Sequence, residues 1–156
     1  MTLANLWLFL HLFFAFAFVG SLIVAEWCSR AARRSTDWKE RALLFDIIQR
    51  SSGAAGLGPL IMLGVFANLL AVATGHRMST EVWLRWANGL WLVAVFVMAL
   101  LNRPGAVRLA NLAREAAKGS EPAGYEAALN RWRLANVAQT VLYLAQLALM
   151  VFRPRG

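Results

Sequence analysis

Four stretches of this chain carry no formal charge and are long enough to cross a bilayer, and that pattern fixes its class. They cover residues 6–25, 54–74, 86–101 and 134–152 of 156. A helix rises about 1.5 Å per residue and the hydrocarbon core is about 30 Å thick, so roughly 20 apolar residues suffice to cross. The first, second and fourth runs meet this outright. The third meets it once residues 82–84 precede it and Arg85 snorkels its guanidinium to the interface. The 60% hydrophobic content, against about half in soluble domains, agrees. The expected fold is an all-α bundle of four transmembrane helices, spanning about 6–27, 54–74, 82–101 and 134–152. It forms a single integral membrane domain over 1–156.

A net charge of +8 raises the question of nucleic acid, and the positions of the charges answer it. Of the 16 Lys and Arg residues, six lie between spans one and two and six between spans three and four. Only Arg77, Arg85, Arg153 and Arg155 lie on the other side. Such a split follows the positive-inside rule. Both long loops are therefore expected in the cytoplasm and both termini on the non-cytoplasmic side. The basic excess reads as a topology signal with anionic lipid in contact, and nucleic acid is not an expected partner. The first run lacks a positive n-region and is too long for a signal-peptide core, so it reads as a retained helix. The single cysteine, Cys28, excludes an internal disulfide and a cysteine metal cluster.

Tryptophans are expected to mark the interfaces: Trp7 and Trp27 on helix one, Trp83 and Trp86 on helix three, Trp132 at the inner start of helix four. Trp91 lies deeper and is expected within the bundle or facing lipid. Residues 29–52 contain an amphipathic piece with Trp38, Leu43, Leu44, Ile47 and Ile48 on one face, expected on the membrane surface or capping the bundle. Asn102-Arg103-Pro104-Gly105 reads as the stop of helix three, followed by a second amphipathic stretch. Small residues mark contact ridges: Ala17, Ser21 and Ala25 on helix one, and Gly64, Asn68, Ala71 and Gly75 on helix two. Helix four carries Gln139, Tyr143 and Gln146 along one stripe, expected to face inward and bond to Asn68 or Ser21. Glu26 with Arg30 and Asp46 with Arg50 are spaced for ion pairs along one helix.

Within the runs, His11 and the phenol of Tyr143 are the only titratable side chains. An ionisable residue inside a span is costly unless paired or used. His11 falls about 9 Å below the outer end of helix one, among Trp7, Phe14, Ala15 and Phe18. A neutral imidazole there suits a structural hydrogen bond to an amide of helix four. It also suits ligation of haem or a metal, since the free base is the ligand form. His76 follows helix two on the same outer side, so the two are candidates for one cofactor. Between Gly75 and Arg77, it also suits a solvated interfacial position. No phosphate loop, zincin pair, nucleophile elbow or cysteine pair occurs.

Leu10-His11 followed by Gly20, the small-residue stretch from Gly53 to Gly64, and the closing Met150-Val151-Phe152-Arg153-Pro154 carry a resemblance over most of the chain. With the four spans, these features resemble an uncharacterised family of four-helix bacterial integral membrane proteins, a domain of unknown function. That family is distantly similar to HemJ-type protoporphyrinogen oxidases and CopD-type membrane proteins. The resemblance implies a bacterial inner-membrane location. In HemJ-type enzymes a first-helix histidine and a lysine of a later helix go with haem b. The histidine carries over onto His11, whereas the two lysines here, Lys39 and Lys118, fall in the loops. The expected function is therefore a non-catalytic accessory or structural subunit, in contact with lipid and with other membrane subunits or further copies of itself. The alternative is a haem b-binding redox protein using His11.

Overall fold

A computed structural model describes residues 2–120 and 122–152. Arg153, Pro154 and Arg155, which enter the charge count and the closing motif, lie outside the described residues. The described residues fold as six α-helices: α1 Leu3–Arg34, α2 Trp38–Ser51, α3 Gly58–Ala73, α4 Val82–Val97, α5 Arg103–Ala117 and α6 Tyr125–Phe152. Two π-helical segments, Ser52–Leu57 and Met98–Asn102, join α2 to α3 and α4 to α5 without a break. The result is four long rods, with continuous stretches Trp38–Ala73 and Val82–Ala117 of 36 residues each. All four are long and apolar enough to cross a membrane, as the sequence indicates. This is a multi-pass membrane protein.

The expected stop of helix three does not occur. Asn102-Arg103-Pro104-Gly105 lies inside a continuous helix, with Pro104 in the first turn of α5. A proline within a helix removes one backbone N–H and crowds the carbonyl four residues earlier. A widened π turn just before the proline relieves the clash and keeps the rod intact. Pro59, directly after the segment Ser52–Leu57, repeats the arrangement on the other long rod.

The amphipathic segment expected on the membrane surface or capping the bundle does the latter, and both amphipathic stretches are continuous with spans two and three. A helix of 36 residues is about 54 Å long, well beyond a hydrocarbon core of about 30 Å. The surplus forms a bundle end beyond the apolar layer, where α2 packs closely on α5, α1 on α2, and α5 on α6. Its core holds Phe45, Ile48, Leu109, Leu129 and Trp132, with Ala106, Ala110 and Ala113 presenting the small face that lets α5 approach. Trp132 is not at an interface as expected. It is 2% exposed, donates from Nε1 to the Asn102 carbonyl at 3.1 Å, and packs over Gly105. Asp46 pairs across helices with Arg114 rather than with Arg50, whereas Glu26 and Arg30 pair at 2.6 Å as their spacing indicates. Arg41 closes the α1–α2 corner, donating from Nε and Nη2 to the Ser35 carbonyl while lying over the Trp38 ring.

Toward the other end the rods separate into two pairs. α1 packs along α3, with Phe66 stacked between Trp7 and Phe14. α4 packs along α6. Contact between α3 and α4 is slight, and it runs through an Asn68–Asn88 hydrogen bond and the ring of Trp91. Trp91 of α4 lies flat on Gly64 of α3 and donates from Nε1 to the Leu60 carbonyl at 2.8 Å. A Cβ at Gly64 would fall 2.1 Å from this ring.

Two glycine substitutions should therefore have opposite signs. Gly64→Ala forces Trp91 off α3 and should cost about 1–3 kcal/mol as overpacking. Gly89→Ala, which meets nothing within 4 Å, should be neutral or stabilising by up to about 1 kcal/mol of helix propensity. Thermal unfolding in detergent measures both, and equal midpoints would refute the Trp91–Gly64 contact.

Candidate functional site

The two helix pairs and the α3–α4 connection border a half-open cavity of about 640 Å³. His11 of α1 and His76 of the connection both line it, so the fold brings together the two sequence candidates. Trp91 and Gly64 lie in its wall, and Asn68, Asn88 and Gln146 add polar atoms. A volume of this size is ordinary for a small-molecule site, as is a mostly apolar wall with a few polar groups. Leu8, Leu12 and Leu147 line the cavity and are also 44%, 46% and 46% exposed, so it borders the lipid-facing surface.

His11 does not bond to helix four. Its Nδ1 is 3.1 Å from the carbonyl oxygen of Leu63 on α3. A carbonyl only accepts, so Nδ1 carries the proton and Nε2 holds the lone pair. Fixing one ring nitrogen in this way sets the tautomer and orients the other nitrogen toward a ligand.

His76 is placed by a helix end. Gly75, with φ +82°, adopts the left-handed conformation that L side chains rarely take. The His76 amide donates to the Ala71 carbonyl at 2.9 Å and the Gly75 amide to that of Val72 at 3.1 Å. This Schellman closure stops α3 and turns His76 back toward the cavity. His76 is half-buried. Nδ1 donates to Glu81 Oε1 at 2.7 Å, and the ring meets Trp83 edge-to-face at 5.7 Å. Trp83 Nε1 donates to the other oxygen of the same carboxylate at 2.5 Å. The hydrogen bond from His76, then that from Trp83, hold the Glu81 carboxyl below its ordinary value. Both histidines thus have Nδ1 engaged by a protein oxygen and Nε2 left over.

Asn68 and Asn88 form a bridge between α3 and α4. Asn68 Nδ2 donates to the Gly64 carbonyl at 2.9 Å and to Asn88 Oδ1 at 2.7 Å, while Asn88 Nδ2 donates to the Leu84 carbonyl at 2.9 Å. Gln139 and Gln146 face inward as the stripe on helix four indicates. Neither meets its expected partner, and among the described residues the buried Gln139 amide has no hydrogen-bond partner. Gln146 Nε2 reaches the Ala87 carbonyl at a long 3.5 Å, and Ser21 Oγ turns back to the Phe18 carbonyl at 2.7 Å. Asn88 and Glu81 were not singled out from the sequence, and Trp83 was read there only as an interface marker. Asn88 had a readable signal as an amide inside a span, whereas Glu81 acquires meaning only once the turn at Gly75 brings His76 to it.

Among the described residues no group of three or more His, Cys, Asp or Glu could hold a metal ion. A bare cation would thus lack a protein coordination shell. Haem brings four equatorial nitrogens of its own and needs only one or two imidazoles, so the residues present fit haem better than a free metal.

No family model, curated protein or solved structure matches the chain. Fold and cavity define the class by themselves: an all-α, four-span membrane bundle with a histidine-bearing cavity between its two helix pairs.

The His76–Glu81 contact should depend on pH in one direction. Because the folded carboxyl sits below its ordinary value of 4.5, the contact is fully present above that value and is lost as pH falls through the lower folded value. NMR of the His76 ring should show a step below pH 4.5 that Glu81→Gln abolishes. A step unchanged in that variant would rule out the carboxylate as its source.

Proposed function

We propose that this protein binds an apolar cofactor in the cavity between its helix pairs, with His11 and His76 as the groups that hold it. The observation that carries this reading is that two histidines from separate parts of the chain line one cavity, each with Nδ1 fixed and Nε2 left for a ligand. Haem b is the cofactor that the resemblance to the HemJ-like families implies, and the donor set suits it. When bound, haem would supply one-electron redox chemistry. The chain's own part is to orient the imidazoles through Leu63 and Glu81, to surround the ligand with apolar walls, and to keep bulk water out on the lipid side.

The reading as an accessory subunit has less support. It relied on small-residue ridges to dock a partner, yet Ser21, Ala25 and Ala71 are buried within the chain itself, and Gly64 lies under Trp91. The proposal includes a bacterial inner-membrane location with both termini on the non-cytoplasmic side, because twelve of the sixteen basic residues fall in the two long loops. The cavity would then open in the outer leaflet.

Protein purified in detergent and supplemented with haem should show a Soret band, and His11→Ala should remove or shift it. His76→Ala should weaken retention of the haem. A colourless wild-type protein after supplementation would sink the haem reading.

A further inference from the structure

The buried residues form two apolar cores, one in the bundle end and one between the helix pairs, and a polar layer separates them. Every rod contributes to it a buried polar residue flanked by one residue of each core. Ser21 falls between Phe18 and Ala25, Ser52 between Ile48 and Leu60, Asn102 between Met98 and Ala106, and Gln139 between Trp132 and Tyr143. Ser52 and Asn102 belong to the two π segments, which touch one another. None of these four polar residues lines the histidine-bearing cavity, so the layer is a separate place in the fold.

Asn102 and Gln139 are 3% and 0% exposed, and neither the oxygen nor the nitrogen of either amide has a hydrogen-bond partner among the described residues. Turning either amide over pairs nothing, because both of its ends are unmatched. A buried polar group left in this way is destabilising, and native interiors supply it with a partner from protein or ordered solvent. Here that partner must accept from two NH2 groups and donate to two carbonyl oxygens. A cation would engage the oxygens alone, and an anion the NH2 groups alone. Either ion would also lack a countercharge among these neutral side chains, and an unpaired buried charge is costly. Water donates and accepts at once, and a buried water makes about two to four hydrogen bonds.

We propose that the layer binds internal water, held by the amides of Asn102 and Gln139 and shut in by an apolar core on either side. The hydroxyl of Ser21 donates to the Phe18 carbonyl at 2.7 Å and keeps its lone pairs as further acceptors. The thioether of Met98 borders the same place. A Cβ at Gly56 would stand 3.4 Å from both Met98 Cε and Ser21 Oγ, and Met98 opens the π segment that Asn102 closes. The inference does not rest on the cofactor reading.

Synchrotron hydroxyl-radical footprinting of the full-length protein in detergent, read by mass spectrometry, is the test. X-rays generate the radical from water in place, so a side chain with water against it is oxidised without access to bulk solvent. Met98 is 2% exposed, yet its sulfur should be oxidised at a rate comparable to that of the exposed Met78. Asn102→Leu and Gln139→Leu should each remove most of the Met98 oxidation and leave Met78 unchanged. Both should also lower the thermal midpoint, since each strands the water and the remaining amide. If the amides had no water, the same substitutions would delete an uncompensated polar group and raise the midpoint. A protected Met98 in the wild type would overturn the proposal, and that result requires no variant to fold. Oxidation of Met98 that neither substitution reduces would overturn it too, as would a midpoint raised by both. Lowered midpoints with Met98 protected would mean that the amides bond directly to each other, which also ends the proposal.

Discussion

The indole of Trp91 laid on Gly64 is the contact on which one half of the bundle depends. α3 and α4 meet only slightly, and this ring shares the tie between the two helix pairs with the Asn68–Asn88 hydrogen bond and the Phe18–Tyr143 ring contact. It acts as both tie and spacer. Its Nε1 hydrogen bond to the Leu60 carbonyl joins the pairs, and its width keeps them apart and leaves the cavity beside it. At the other end no such spacer exists. Alanines of α5 let the helices close onto Phe45, Leu109 and Trp132, and the space is filled.

Much of this architecture is legible in the sequence because hydrocarbon permits few solutions. Uncharged runs of sufficient length gave the four spans, and the polar stripe at Gln139 and Gln146 gave the inward face of the last helix. The prolines misled for a physical reason. In water, Asn-Arg-Pro-Gly ends helices, because the freed backbone groups bond to solvent. Here the chain absorbs Pro104 in a π turn and goes on. The apolar face of the first amphipathic stretch was read only in part: Ile48 is buried at the α2–α5 contact, but Leu43 and Ile47 are exposed and Phe45, outside the expected face, fills the core.

The candidate site was half legible. His11 stood out because an imidazole within a span is rare, and His76 because it fell on the same side. Nothing local could show that Leu63 and Glu81 would fix their tautomers, since both contacts depend on the packing of α1 against α3 and on the left-handed turn at Gly75. Pairing rules also pointed to the wrong partners. Spacing suggested Asp46 with Arg50, but the approach of α5 to α2 supplies Arg114 instead. Contacts at i, i+4 can be read from a chain, whereas those between rods require the fold.

The two π segments touch one another, and they lie where the filled half of the bundle gives way to the divided half. Widened turns are the least regular stretches of their rods, and on one side of them the helices are clamped by a shared core. Both segments stand just before the proline of their rod, so the level at which one shared core gives way to two helix pairs is also the level at which the two long helices depart from α geometry.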